Sequence, residues 1–258
     1  MVKWPTIALR AWAALLVVFM LTPIALVILL SFGSNAMVAL PLGKLTFKWY
    51  EALFAWPAFY DALENSVTVA GTVALVSTAI GTAAALGMSR MREGVAAGAN
   101  LALCFPIMLP GLVLGLALLA FYATVGMRLS LLTVILSHLV ITQPYVILVV
   151  YARMAGFNYD VVQSARDLGA TPWQAFVTVT LPIIRTAVIG AALLATAHSI
   201  DDFIVTFFTI GGGNTLTTLV WGMLRTTLDP RVNAIATMLI VATITSTVIA
   251  IRLTRYRG

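Results

Sequence analysis

Along most of the chain the apolar positions do not alternate with polar ones. They run together in long blocks separated by short polar connections. A helix needs about 20 such residues to cross a bilayer. Six blocks approach that length, at 11–32, 66–88, 99–122, 130–151, 186–210 and 232–251. Five of them hold no charged residue, and the fifth holds Asp201 and Asp202. The pattern predicts an all-α integral membrane protein with six transmembrane helices. The first block follows Lys3 and Arg10, as a secretory signal would. Its apolar stretch is about twice a signal core, and no small-x-small cleavage site follows at once, so a retained helix is expected.

Composition points the same way. Of 258 residues, 61% are hydrophobic and 9% charged, and mean hydropathy is +1.04. A soluble domain carries about 25% charged residues. A chain this poor in charge cannot cover its own surface in water, so a soluble monomer is excluded, as is intrinsic disorder. The net charge of +6 is scattered between apolar blocks rather than gathered on a polar face, which argues against nucleic acid. It reads instead as membrane orientation. Lys3, Arg10, Arg90, Arg92, Arg153, Arg166, Arg185, Arg252, Arg255 and Arg257 fall on the side of the N-terminus. Lys44, Lys48, Arg128, Arg225 and Arg231 fall opposite. That bias places both termini in the cytoplasm. Cys104 is the single cysteine and has no internal disulfide partner.

The connections differ in character. The outer one, 33–65, is rich in Trp and Tyr, which favour the water–lipid boundary, so a short interfacial helix is expected there. Asn65 is placed to cap the second span. The 89–98 connection is short and basic, and 152–185 is the longest cytoplasmic stretch. No internal repeat is visible, and the chain reads as one membrane domain, 1–258, with its core at about 60–252.

Within 158–181 the residues predict two short helices. Asn158 is a good N-cap. Val161, Val162, Ala165 and Leu168 then recur at helical spacing. Gly169 can take a left-handed conformation and end the first helix. Thr171 suits the next N-cap, Pro172 the first helical position, and Gln174 stands three residues after the cap. Pro182 disfavours helix at Leu181, so the second helix is expected to stop there. Such a hairpin either packs on its own bundle or docks a cytoplasmic protein.

Gln163-Ser164-Ala165-Arg166-Asp167-Leu168-Gly169-Ala170-Thr171-Pro172-Trp173-Gln174, followed by Val179-Thr180-Leu181-Pro182, resembles the EAA loop of bacterial ABC importer permeases. That pattern runs Glu-Ala-Ala, three residues, Gly, and later Leu-Pro. Ala165, Gly169 and Pro182 match it. Gln163 stands where the family usually has Glu, and Ser164 where it has Ala. Gln163 lacks the carboxylate for an ion pair but still accepts a hydrogen bond. Lys48-Trp49-Tyr50, Glu64-Asn65-Ser66, Ser199-Ile200-Asp201-Asp202-Phe203 and the stretch 232–237 resemble the PotC-type branch, which serves spermidine, putrescine and other small solutes. The likeness runs from about Thr46 to the end. Relatives often carry an acid after the third-span proline, whereas here Gly111 follows Pro110.

The resemblance implies a type I ABC importer permease fold in a bacterial inner membrane, with no catalytic role and no cofactor or metal in this chain. ATP and Mg would sit on two copies of a separate ATPase. A second, PotB-like permease would complete a heterodimer, and an extracytoplasmic solute-binding protein would deliver the solute. Gln163, Ser164, Ala165, Asp167, Gly169, Ala170 and Pro182 are then the expected ATPase-coupling residues of a cytoplasmic loop at 152–185. In the implied mechanism the 158–181 element rides in an ATPase groove while spans three to five rock by alternating access. The residues offer no P-loop, so this chain is not expected to bind ATP by that route. The one Gly-Lys pair, Gly43-Lys44, is followed by Leu45, with Val38 where a P-loop needs glycine.

The pathway candidates are Trp49, Pro110, Gly111, Asp201 and Asp202. The acids lie 16 and 17 residues past Arg185, or roughly 24–26 Å along a helix, in the outer part of the bilayer. Each costs about 2.5–3.5 kcal/mol at a span centre, against about 0.3–0.6 returned by each Leu, Ile, Phe or Val. They must therefore face protein or water. Two readings stay open. They attract a cation near the outer mouth, or they cap a break in the fifth helix or pair with Arg225 or Arg231. His198, four residues before Asp202, can share its face. Trp49 offers an aromatic face to an ammonium group or anchors the interface. Pro106 and Pro110 bend the third span and Gly111 and Gly115 admit a close neighbour, as packing or as a hinge or pathway wall. Pro144 is equally open. His138 is expected to be a satisfied buried group. The 211–214 segment reads as a flexible outer loop, and 215–227 is apolar but too short to cross. A secondary transporter would show paired broken helices in repeated halves, and an intramembrane enzyme would need catalytic groups on separate spans. Neither pattern is present.

Overall fold

The computed structural model describes residues 4–35, 43–226 and 229–255. Val38, Thr227, Lys3 and Arg257, which entered the readings above, lie outside them. Twelve helices follow one another among the described residues. They are α1 (Trp4–Ser31), α2 (Lys48–Phe54), α3 (Pro57–Met88), α4 (Glu93–Met108), α5 (Gly111–Thr124) and α6 (Leu131–Met154). Then come α7 (Asp160–Asp167), α8 (Pro172–Ala175), α9 (Leu181–Asp201), α10 (Ile204–Thr209), α11 (Leu216–Thr226) and α12 (Arg231–Arg255). A π-helical turn, Phe176–Thr180, joins α8 to α9.

Four helical stretches are long and apolar enough to cross a membrane: Ala8–Ser31, Pro57–Met88, Leu131–Met154 and Pro172–Asp201. The α4–α5 pair makes a fifth if counted as one span. Among the described residues these account for five of the six blocks, and two of the five depart from a straight span for local reasons. The third block is not one straight helix. Leu109 is extended (ψ 137°) ahead of Pro110, as a residue before proline prefers, and α4 and α5 meet at 97°. Pro144, by contrast, stays inside an unbroken α6. The last block, 232–251, lies within α12.

Two other expectations are corrected, and the break left open for the fifth block is found. Pro182 does not stop the hairpin's second helix. The π turn, closed by a bond from the Leu181 N–H to the Phe176 carbonyl, widens the backbone just ahead of the proline ring. The helix therefore continues into α9 without the clash that proline causes in a regular α turn. Asn65 does not cap the second span, because α3 already starts at Pro57. Its amide and the Ser66 hydroxyl serve another element instead. Asn65 Nδ2 donates to the Asn214 carbonyl at 2.9 Å, and Ser66 Oγ accepts from the Leu216 N–H at 2.8 Å, satisfying the first turn of α11. The fifth block, 186–210, is interrupted at Asp202-Phe203 and divided between α9 and α10.

The chain divides into two compact units. One holds residues up to Tyr60 together with Leu219–Ile244. The other holds Asp61–Thr218 and the residues from Thr245 onward. In the first, α1 is exposed from Ala8 to Leu26. The end of α1 is tied to the interfacial segment by Ser31 Oγ and the Tyr50 hydroxyl at 2.8 Å, with the Phe32 ring edge-on to Phe47 and tilted against Tyr50. In the second unit, α3, α6 and α9 share a core of Ala85, Val146, Val150, Met154, Ile184, Ala191 and Ala195. The α3–α6 seam is built on small residues. A Cβ at Gly81 would stand 2.6 Å from Val146 Cγ1, and four residues earlier Thr142 Oγ1 donates to Ser77 Oγ at 3.1 Å. Close approach of this kind substitutes for a hydrophobic driving force that lipid does not supply.

Candidate functional site

The 158–181 hairpin is held by bonds local in sequence. Asn158 Oδ1 accepts from the Asp160 N–H at 2.8 Å, so Asn158 starts the turn although Tyr159 occupies the cap position itself. Asp160 in the first turn and Arg166 in the last both suit the dipole of α7. Gly169 takes φ +95°. The Ala170 N–H then reaches the Ala165 carbonyl at 3.1 Å and the Gly169 N–H the Arg166 carbonyl at 2.9 Å, which closes the helix in a Schellman pattern. On the far side Thr171 Oγ1 accepts from Gln174 N at 3.3 Å, and Gln174 Oε1 accepts from Thr171 N at 2.8 Å. This is the capping box expected from the spacing.

At its base the hairpin grips the bundle. Phe157 is buried, Ala175 is almost fully so, and Val162 and Tyr159 pack on the α3–α6–α9 core. Ser89 Oγ donates to the Leu86 carbonyl at 2.8 Å and stands 2.6 Å from the Tyr159 hydroxyl. At its tip it is bare. Leu168 is 90% exposed and Trp173 70%. Gln163, Ser164, Asp167, Gly169 and Pro182 are exposed, and Ala165 and Ala170 are half-buried. All seven anticipated coupling residues thus lie on one short stretch with an exposed apolar tip and a fixed root. The spacing arguments did not single out Trp173 or Tyr159 as functional, though an exposed Trp beside a cap is a readable signal.

From Pro172 the helical backbone runs without interruption to Asp201, 30 residues in all, or about 45 Å. At its end the chain breaks, and a polar network gathers around the break. Asp202 is extended (ψ 117°). Its Oδ2 accepts from the Thr206 N–H at 2.9 Å, so this carboxylate caps α10. The partner across the interface is His138 of α6. Its side chain is 1% exposed, with Nε2 3.4 Å from Asp202 Oδ2. Nε2 also lies 2.8 Å from Thr206 Oγ1, and Nδ1 lies 2.8 Å from Ser199 Oγ. One imidazole thus holds both sides of the break. At the other end of α10, Thr133 Oγ1, also on α6, donates to the Thr209 carbonyl at 2.7 Å. Gly115 lets α5 close on α10, since a Cβ there would stand 2.9 Å from Phe208 Cδ2.

These contacts correct the expected partners of the acids. His198 does not pair with Asp202; its ring packs edge-on against Tyr145 at 4.8 Å. Arg231 pairs with Asp229, Nη2 to Oδ2 at 2.6 Å, and lies over the Trp56 ring at 4.3 Å, while Arg225 lies over Trp221. Burial tends to raise the Asp229 carboxyl, but the hydrogen bonds and charge of Arg231 outweigh that and hold it below its ordinary range. Asp201 is exposed and makes no ion pair among the described residues. Pro110 and Gly111 stand at the α4–α5 bend, where a Cβ at Gly111 would come into van der Waals contact with Ile204 on α10. Asp201, Asp202 and the bend therefore surround the same short helix. Trp49 belongs to the other unit. Its Nε1 donates to the Gly33 carbonyl at 2.7 Å, and its ring face is covered by its own neighbour, Lys48 Nζ, at 4.3 Å.

Residues 77–256 match the family described as binding-protein-dependent transport system inner membrane component. The putrescine transport system permease protein PotI of Escherichia coli strain K12 is 31% identical over 232 residues, 86% of this chain and 82% of that protein. The spermidine/putrescine transport system permease protein PotC of Haemophilus influenzae is 30% identical over 211 residues, 81% of this chain and 82% of that one. Among solved structures, a chain of a bacterial ABC transporter involved in alginate import superposes with a TM-score of 0.75. That match covers 98% of this chain and 96% of the other at 15% identity, a likeness of fold.

Proposed function

We propose, from the premise that the chain belongs to the family of binding-protein-dependent transport system inner membrane components, that it carries a polyamine such as putrescine or spermidine inward on ATP hydrolysed by a partner. Members of this family are non-catalytic, multi-pass permease subunits of the inner membrane. The full topology is six spans with both termini cytoplasmic, as the basic residues indicate. The assembly is a heterodimer with a second permease, two ATPase copies carrying ATP and Mg, and an extracytoplasmic binding protein.

One observation carries the mechanical part. The exposed hairpin and the broken site share a single continuous helical rod, Pro172–Asp201. An ATPase that grips Leu168 and Trp173 moves this rod as a body. At its far end the Asp202–His138 contact and the α5–α10 packing have two arrangements to choose between, open and closed. Asp201, exposed beside the break, supplies a carboxylate to an ammonium group. The names of the relatives support a polyamine cargo. The Gly111 position, where relatives often carry an acid, leaves this pathway one carboxylate poorer.

The test is uptake into proteoliposomes holding the complete complex and binding protein. Labelled putrescine and spermidine should accumulate only with ATP, and excess neutral amino acid should not compete. Accumulation of an amino acid or organic anion in preference would reject the polyamine cargo. Uptake by the permease pair with no ATPase would reject the importer class.

A further inference from the structure

Between the end of α3 and the root of the hairpin lies a cavity of about 380 Å³, lined by Ser89, Arg90, Tyr159, Gln163, Arg166 and Pro172 among others. No acidic side chain lines it. Among the described residues neither Arg90 nor Arg166 forms an ion pair with a carboxylate. Its floor is fixed. Ser89 donates its proton to the Leu86 carbonyl and so accepts from the Tyr159 hydroxyl. The Tyr159 ring in turn lies under the Arg90 guanidinium, 5.7 Å from its centre. Arg90 is thereby held by a ring rather than by an anion, and its donors are left for a ligand.

We propose that this cavity binds the phosphate of an anionic phospholipid headgroup. The position argues for lipid. Ser89 and Arg90 follow directly on Met88, the last residue of a membrane-crossing helix, so the cavity opens at headgroup depth. Basic pockets between spans at that level recognise anionic headgroups. The chemistry argues for phosphate, since two guanidinium forks match its oxygens. The volume holds about a dozen waters. That suits a phosphate with its glycerol and head alcohol, and a carboxylate reaching in from a partner protein would leave most of it empty. Leu168 and Trp173 of the docking tip do not line it, although Gln163, one of the expected coupling residues, does. A headgroup here ties the α3 end to α7 and pins the root of the hairpin to the membrane surface.

The experiment uses the full chain in its complex, delipidated in detergent and titrated with short-chain phosphatidylglycerol, phosphatidylcholine or inorganic phosphate, with bound lipid counted by native mass spectrometry. Phosphatidylglycerol should bind saturably and phosphatidylcholine at least ten-fold more weakly. Arg90→Gln with Arg166→Gln should remove that preference. Arg92→Gln, which deletes a neighbouring charge outside the cavity lining, should leave it intact, and Arg90→Lys should keep part of it. If the double variant does not assemble, Arg166→Gln alone carries the comparison. Equal binding of the two lipids, or unchanged binding by the variants, overturns the proposal. Full competition by millimolar inorganic phosphate assigns the site to a free anion instead. If the variants lose the ATPase in lipid-free detergent while still binding phosphatidylglycerol, the cavity belongs to an acidic side chain of the ATPase.

Discussion

The hairpin at 158–181 and the break at Asp202-Phe203 sit at opposite ends of one helical rod, yet they are stabilised in opposite ways. In the hairpin the defining bonds join residues two to five apart, such as Asn158 to Asp160 and Thr171 to Gln174. Its side chains are largely exposed. At the break the bonds span 61 and 68 residues, from His138 to Ser199 and to Thr206, and the imidazole is 1% exposed. A locally bonded, exposed element can move as a body without unfolding what it is attached to. A buried network with one shared ring responds to displacement by switching partners or by losing them. The first suits a handle and the second a gate.

The comparison is broken most severely at His138. His138→Leu strips Ser199, Thr206 and Asp202 of a common partner and leaves the buried Ser199 and Thr206 hydroxyls short of a hydrogen bond, a change that costs about 1–3 kcal/mol. A large fall in thermal stability of the purified complex should accompany loss of uptake. His138→Gln, which keeps a donor and an acceptor, should recover part of both. A double-mutant cycle of His138→Gln with Asp202→Asn should show coupling of about 0.5–3 kcal/mol. The same cycle between His138→Gln and Thr171→Ala, at the two ends of the rod, should be additive to within about 0.5 kcal/mol.

At the hairpin, Gly169→Val forces a β-branched residue into φ +95°, at a cost of about 1–3 kcal/mol. ATP-dependent uptake should drop several-fold while the melting of the membrane region stays close to wild type. Equal loss of both would mean that the hairpin is part of the packed core. Thr171→Ala removes one side of the capping box and should cost about 1 kcal/mol of local helix stability, seen as faster amide exchange confined to 171–175. The smallest effect concerns pH. Asp229, depressed by Arg231, contributes stability that is complete above the ordinary aspartate range near 4 and fades as pH falls through its lowered value. Asp229→Asn should abolish that acid-side slope and leave neutral stability little altered.

Much of the hairpin was legible because its instructions are local. Gly169 and the Thr171–Gln174 spacing each require only a few neighbouring residues to take effect. The rod was not legible, because Pro182 reads as a stop and only the π turn ahead of it, a backbone feature without a residue signature, lets the helix go on. The break was half legible. Two acids in an apolar block demanded a partner, and helical spacing nominated His198, but a helix that ends at Asp201 turns the next carboxylate toward α6. His138 was the other histidine in a span, and the need of each buried polar group for a partner was the available signal. Asn65 and Ser66 misled for a similar reason. They resemble caps and they do cap, but they cap α11, which lies 150 residues away in sequence.

The claim that the hairpin is gripped by a nucleotide-driven partner is tested most directly by crosslinking. With Cys104 replaced and Leu168→Cys at the exposed tip, cysteines along the groove of the ATPase should form a disulfide whose yield changes when ATP is added. The same cysteine placed at Phe157, in the buried root, should not react. Absence of any Leu168→Cys crosslink to the ATPase, in a complex that still imports with ATP, would contradict the account.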